Sequence, residues 1–191
     1  MSILEHYFLG TPLSHLLGVK INMNDLAEET QEAYDEGQKM PSRNHSFVQT
    51  RLAGLLLNDD RFTPFVELSL DVSQIDLSQF GLKIKEEIIP DVCIYPNSIG
   101  FNDEDDDLKM QEMPLLAIEI ILPKQAFSDI LAKFKAYFSL GMKSCWLVMP
   151  MFKSIAVYSQ AHKSTMFDLG DTEVIDKVMD IHLPIDKIFG Q

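Results

Sequence analysis

A chain of 191 residues, 46% hydrophobic and 24% charged, is long enough to bury roughly 70% of its unfolded surface without disulfide or metal staples, and its composition excludes disordered and collagen-like classes. A net charge of −13 argues against a general nucleic-acid coat protein, because counterion release from phosphates needs clustered Lys and Arg. The longest apolar runs, such as Met113 to Pro123, are too short to cross a bilayer, and the opening Met-Ser-Ile-Leu-Glu-His lacks the features of a secretory signal, so a cytoplasmic location is expected.

Residues 1–29 are expected to form an N-terminal extension and 30–191 a single domain. From Asn24, a plausible N-cap, to Gly37, the residues Leu26, Ala27, Ala33 and Tyr34 suit one face of an acidic surface helix. A second helix fits 44–57, where Phe47, Val48, Leu52, Leu55 and Leu56 recur at helical spacing, and His45 lies in its first turn. The period then changes. Phe65 to Val72 alternates as a half-exposed strand, Glu87 to Tyr95 reads as another, and Pro114 to Leu122 as a buried one. Three strands in series suggest an antiparallel start to a sheet.

A helix from Gln125 to Leu140 is expected next, burying Phe127, Ile130, Leu131, Phe134 and Phe138 and stopped by Gly141. Cys145 to Pro150 then supplies a strand, which makes strand, helix, strand a βαβ crossover. Ser154 to Ser159 and Ser164 to Leu169 read as short strands closing the sheet edge. The expected fold class is α/β, a single mixed sheet flanked by helices. Cys93 and Cys145 fall in apolar strands without Cys-x-x-Cys spacing and are expected as reduced, buried thiols.

Glu119 is the most informative residue, because it interrupts a run otherwise buried on both faces, and a buried carboxylate is costly unless paired or metal-bound. Asp91 follows Pro90 and precedes the apolar Val92-Cys-Ile. Two acids at the centres of neighbouring strands converge, and a divalent cation then relieves their repulsion; oxygen ligands favour Mg²⁺ or Mn²⁺. Taken singly, Asp91 also suits a bulge cap and Glu119 a structural ion pair with a lysine. Lys133, at the edge of the apolar stripe of its helix, is placed to reach over the sheet, with Asp129 one turn earlier to orient it. Charge is uneven: Asp103 to Asp107 reads Asp-Glu-Asp-Asp-Asp, a solvated loop, while Lys124, Lys133, Lys135 and Lys143 face a single acid, Asp129, in their stretch.

The segments Ile89 to Tyr95, Pro114 to Pro123 and Ser128 to Pro150, with Asn44-His45 and Phe65-Val-Glu-Leu upstream, together resemble the Uma-two family, described as restriction endonucleases, abundant in cyanobacteria and belonging to the PD-(D/E)XK superfamily. The resemblance covers roughly residues 30 to 190. It implies a restriction-endonuclease-like fold, Asp91 and Glu119 as metal ligands, and catalytic Lys133 placed four residues before Tyr137, since the superfamily's commoner lysine position is Ile121 here. It also implies a role for His45, whose place at a helix N-terminus disfavours the imidazolium form; Glu67 matches a frequent family glutamate that a solvent-facing strand explains equally. The chain departs from the family at Leu122 and Met149, where serine and aspartate are common. The expected function is metal-dependent hydrolysis of DNA, approached from the Lys124 to Lys143 side by a homodimer. A nuclease-fold interaction protein without catalysis and a hydrolase of a small phosphorylated substrate are the alternatives.

Overall fold

The computed structural model describes residues 41–190 except 84, 85, 104, 105 and 124; the helix expected from Asn24 to Gly37 and the boundary at residue 30 lie outside the described residues. Helix α1 (Arg43–Leu56) starts where the Ser42 hydroxyl accepts the His45 N–H at 3.3 Å, satisfying one of the free donors of the first turn. In chain order there follow β1 (Phe62–Val66), β2 (Leu70–Asp71), β3 (Glu87–Ile88), β4 (Val92–Pro96), β5 (Leu116–Ile120), α2 (Phe127–Ser139), β6 (Ser144–Met149), β7 (Ser154–Gln160), β8 (Lys163–Phe167), β9 (Glu173–Asp176), β10 (Ile181–Pro184) and α3 (Ile185–Phe189).

Six strands form one mixed sheet in the order β1-β4-β5-β6-β7-β8. The opening β1-β4-β5 pairings are antiparallel, as expected. Strands β5 and β6 are parallel and joined through α2, the crossover that the strand-helix-strand pattern predicts. Alternation along each strand sends Val92, Ile94, Ile118 and Trp146 toward α1 through Val48 and Leu52. It sends Cys93, Tyr95, Ala117 and Leu147 toward α2 through Ile130, Phe134 and Tyr137. A sheet covered on both faces reads as continuous apolar runs, and all five residues of β5 are buried, Glu119 among them.

Three expectations are corrected. Phe65 to Val72 is not one strand: the chain breaks at Glu67, whose φ of 53° lies in the left-handed region, so β1 and β2 are separate and β2 pairs with β3 in its own ribbon. Glu87 to Tyr95 is likewise divided, because Pro90 offers no N–H to a ladder, and Asp91 therefore enters β4 from outside rather than lying at a strand centre. Phe127, expected in the core, is 44% exposed. Gly141 does end α2, with φ of 93° and the Met142 N–H returning to the Tyr137 carbonyl at 3.1 Å.

The β9-β10 ribbon and α3 have no counterpart in the sequence reading. They are tied to the sheet by Asp176, fully buried, whose Oδ2 accepts the Trp146 indole N–H at 2.8 Å while Oδ1 accepts the Val178 and Met179 N–H groups.

Cys93 and Cys145 are unpaired and buried. Burial pushes the Cys93 thiol up to about 12 and raises Cys145 well above its usual range, with Glu119 adding to it. Both thiols should resist an aromatic disulfide reagent at pH 8 in the native protein and both should react after unfolding. The unfolded chain forms thiolates above its ordinary value of about 8.5 and the folded chain does not. Stability should therefore fall as pH rises past that point; fast native labelling of both would contradict the packing.

Candidate active site

The β4-β5 register sets Val92 opposite Ile118 and Cys93 opposite Ala117. Asp91 immediately precedes the first paired residue of β4, and Glu119 immediately follows its partner Ile118. Asp91 is fixed there by three contacts. Its Oδ2 accepts the Ile120 N–H at 2.5 Å, its Oδ1 lies 3.2 Å from His45 Nε2, and its backbone carbonyl accepts the Gln49 amide at 2.9 Å. His45 and Gln49 are one turn apart on α1, hence on one face, and both are buried. Because a carboxylate only accepts, His45 presents its N–H at Nε2, which leaves buried Nδ1 without a hydrogen-bond partner among the described residues.

Glu119 is approached from α2. Its Oε2 receives the Lys133 ammonium at 2.8 Å and its Oε1 the Tyr137 hydroxyl at 2.5 Å. The helix thus spends two successive turns on one carboxylate. Burial pushes the Glu119 carboxyl above its ordinary value, with Asp91 adding to the rise, while Lys133 and Tyr137 oppose it. For Lys133, burial acts to lower the ammonium, but Glu119 and then Asp91 outweigh it and hold the group up. The two directions compete for one proton. A 2.8 Å contact with a second donor on the other oxygen favours the charged pair; the rise of Glu119 expresses a carboxylate whose burial one lysine does not fully offset. Tyr137 is raised well above its ordinary value by burial and by Glu119, so it stays a donor.

Asp91, Glu119, Lys133 and His45, singled out from sequence, therefore meet at one end of β4 and β5. Asp129 does not orient Lys133: it is exposed and accepts from Ser128 Oγ at 3.3 Å, while the ammonium turns inward to Glu119. The sequence reading missed Gln49, although its spacing of four from His45 was the available signal. It also undervalued Glu67, whose Oε1 accepts the Gln49 amide at 3.3 Å and whose backbone N–H reaches the Asp91 carbonyl at 3.3 Å.

Among the described residues, no group of three or more His, Cys, Asp or Glu side chains is arranged to hold a metal ion by itself. Two cavities flank the sheet. One of about 730 Å³ lies beside Phe65, Phe101 and Met110. A second of about 330 Å³ opens where β5 ends, at Ile121 and Leu122, and neither is lined by any of the four site residues.

A family model described as "Putative restriction endonuclease", Uma2, matches residues 26–185. A crystal structure from Anabaena variabilis, described as "a putative nuclease belonging to DUF820", superimposes with a TM-score of 0.63 at 20% identity, covering 80% of this chain and 84% of that one. At that identity the likeness is one of fold. A comparison with curated proteins gives no match.

Removing one member of the buried pair should be worse than removing both. Lys133→Met strands the Glu119 charge and should cost about 3–5 kcal/mol in urea unfolding. Lys133→Met with Glu119→Gln should recover much of it. Additive losses in the double variant would mean that the two side chains are not coupled.

Proposed function

We propose that this chain, which belongs to the Uma2 family, is a metal-dependent nuclease that hydrolyses DNA phosphodiesters at the Asp91–Glu119 site. One observation carries the reading: the Asp91 carboxylate, bonded to the Ile120 N–H next to Glu119, lies close enough to raise the Glu119 carboxyl, and the Lys133 ammonium lies 2.8 Å from Glu119, the more buried of the two.

The residues fit a divalent cation. Both acids supply hard oxygen donors, which suit Mg²⁺ or Mn²⁺, and Mg²⁺ commonly takes one or two carboxylates with water completing its shell. Each carboxylate oxygen keeps a second lone-pair site beyond its present hydrogen bond. The incompletely offset charge of Glu119 and the orphaned Nδ1 of His45 mark a place where a charged, hydrated group is favoured. Bound there, such a cation would polarise a phosphoryl oxygen and acidify a coordinated water. The chain supplies the rest. Lys133, 20% exposed, donates one N–H hydrogen bond to Glu119 and keeps two further N–H donors for a non-bridging phosphate oxygen. Asp91 is clamped by the Ile120 amide and His45, and Gln49 fixes its backbone, so the oxygens are set before a substrate arrives.

Access for DNA is restricted. Of the four lysines on the expected basic side, Lys133 points into the sheet, Lys135 and Lys143 are exposed, and Lys124 lies outside the described residues. Binding should therefore be weak and strongly salt-dependent. A two-fold dimer would bring two such sites to the two strands of a duplex.

A second reading, a nuclease fold kept for interaction without catalysis, is favoured by one feature: Lys133 and Tyr137 already satisfy both oxygens of Glu119. Supercoiled plasmid at low salt separates the two. Nicking or linearisation is expected, with Mn²⁺ at least as effective as Mg²⁺. Mn²⁺ at a hundredfold excess over its dissociation constant should stabilise the fold by about 3 kcal/mol. Asp91→Asn and Glu119→Gln should lose both effects. Lys133→Met should keep the metal shift while cleavage falls about a hundredfold. A protein that neither cuts nor responds to metal would support the second reading.

A further inference from the structure

The cavity beside the candidate active site differs in chemistry from the rest of this acidic chain. Among the described residues, none that lines it carries a charge, in a protein of net charge −13. Its walls include Leu122, Phe127, Met151 and Phe152, with the amides of Asn44 and Gln125 among them. Phe127 is 44%, Met151 70% and Phe152 68% exposed, so broad apolar faces stand open around a cleft of about 330 Å³.

The cleft is lined by chain neighbours of the site residues rather than by the site residues themselves. Asn44 adjoins His45 on α1, and Ile121 follows Ile120, the residue whose N–H holds Asp91. A group held in the cleft would thus be covalently close to a phosphate held at Asp91, Glu119 and Lys133. Flat aromatic faces with a few carboxamides match a nucleobase: the ring stacks, and an amide reads its donor and acceptor edge. Gln125 uses Oε1 to accept the Leu122 N–H at 3.2 Å, which leaves its NH₂ for that purpose. The charge balance points the same way, since a chain of net charge −13 gains little from phosphates at long range and depends on contacts that need no charge.

We propose that this cleft is a nucleobase subsite, holding the base next to the scissile phosphate after it has left its stack. The preferred substrate class is then single-stranded or locally unpaired nucleic acid, the opened stretches of a supercoiled plasmid included, because a base inside a duplex cannot enter without being extruded. This rests on the nuclease reading above, and the test keeps the two apart.

Binding is measured without metal, by the emission of 2-aminopurine in a single-stranded oligonucleotide and in the matched duplex. Cleavage of both is then measured with Mn²⁺. The wild-type protein should raise the emission of the single strand and not of the duplex. Phe152→Ala and Phe127→Ala should abolish that change and raise KM about tenfold or more, with kcat and the Mn²⁺ thermal shift little altered. No emission change with wild type would overturn the subsite whether or not the protein cuts. Equal cleavage of duplex and single strand, unaffected by both variants, would overturn it while leaving the nuclease reading intact. An emission change without any cleavage would support the subsite and count against the nuclease. Sedimentation completes the set: a wild-type dimer that Phe152→Ala dissociates, with no effect on the base signal, would show that a second copy covers the cleft instead.

Discussion

A carboxylate that is 3% exposed in the middle of a sheet has to be compensated, and the compensation of Glu119 organises one half of this molecule. Helix α2 must lie over β5 at the height where residues 133 and 137 both reach that side chain. The helix is set there by Phe134 and Ile130, which pack on the same face of the sheet, and by the stop at Gly141. Stability alone does not call for this. A buried pair is commonly no better than apolar residues of similar volume, and a strand reading Leu-Ala-Ile-x-Ile would accept one. The polar triad of Glu119, Lys133 and Tyr137 is therefore not accounted for by packing stability alone.

The second acid is governed by different physics. Asp91 is not in a ladder; it is held by the chain that arrives from Pro90 and by partners on three elements. The peptide of Glu67, in a backbone conformation that a non-glycine residue adopts at a cost of about 1 kcal/mol or more, donates toward the Asp91 carbonyl. Gln49 joins the same carbonyl to the Glu67 carboxylate. Strained backbone concentrates where the surrounding structure over-determines it, and here it lies within one residue pair of the candidate site. The two faces of the sheet thus contribute separately, α2 to Glu119 and α1 to Asp91, and they meet only because β4 and β5 are neighbours.

Charge sets the terms of access. The lysine that the sequence places on a basic helix face is turned inward, so its charge serves the site rather than a surface. The described acids of the 103–107 run, Asp103, Asp106 and Asp107, are exposed, in keeping with the solvated loop expected for that run. A polyanionic substrate approaching such a protein is repelled at long range, and what recognises it must act at short range.

Much of this was legible in the sequence. Periodicity located α1 and α2 and the buried strand β5 to within about two residues, because a helix with an apolar stripe and a strand buried on both faces leave clear patterns. Glu119 declared itself as the one charge in such a strand, Asp91 and Lys133 followed from their places in the strand and helix patterns and from resemblance, and His45 from resemblance. The short elements were not legible. Strands β2, β3, β9 and β10 have two to four residues each, too few for a period to register, and the break at Glu67 depends on a backbone conformation that no residue type announces. Phe127 and Phe47 matched the apolar stripes of their helices yet lie at 44% and 43% exposure, since a stripe is buried only as far as its partner extends. The sequence by itself determined which side chains had to be compensated. The tertiary structure decided their partners, because the β4-β5 register and the crossover through α2 set the distances between residues far apart in the chain.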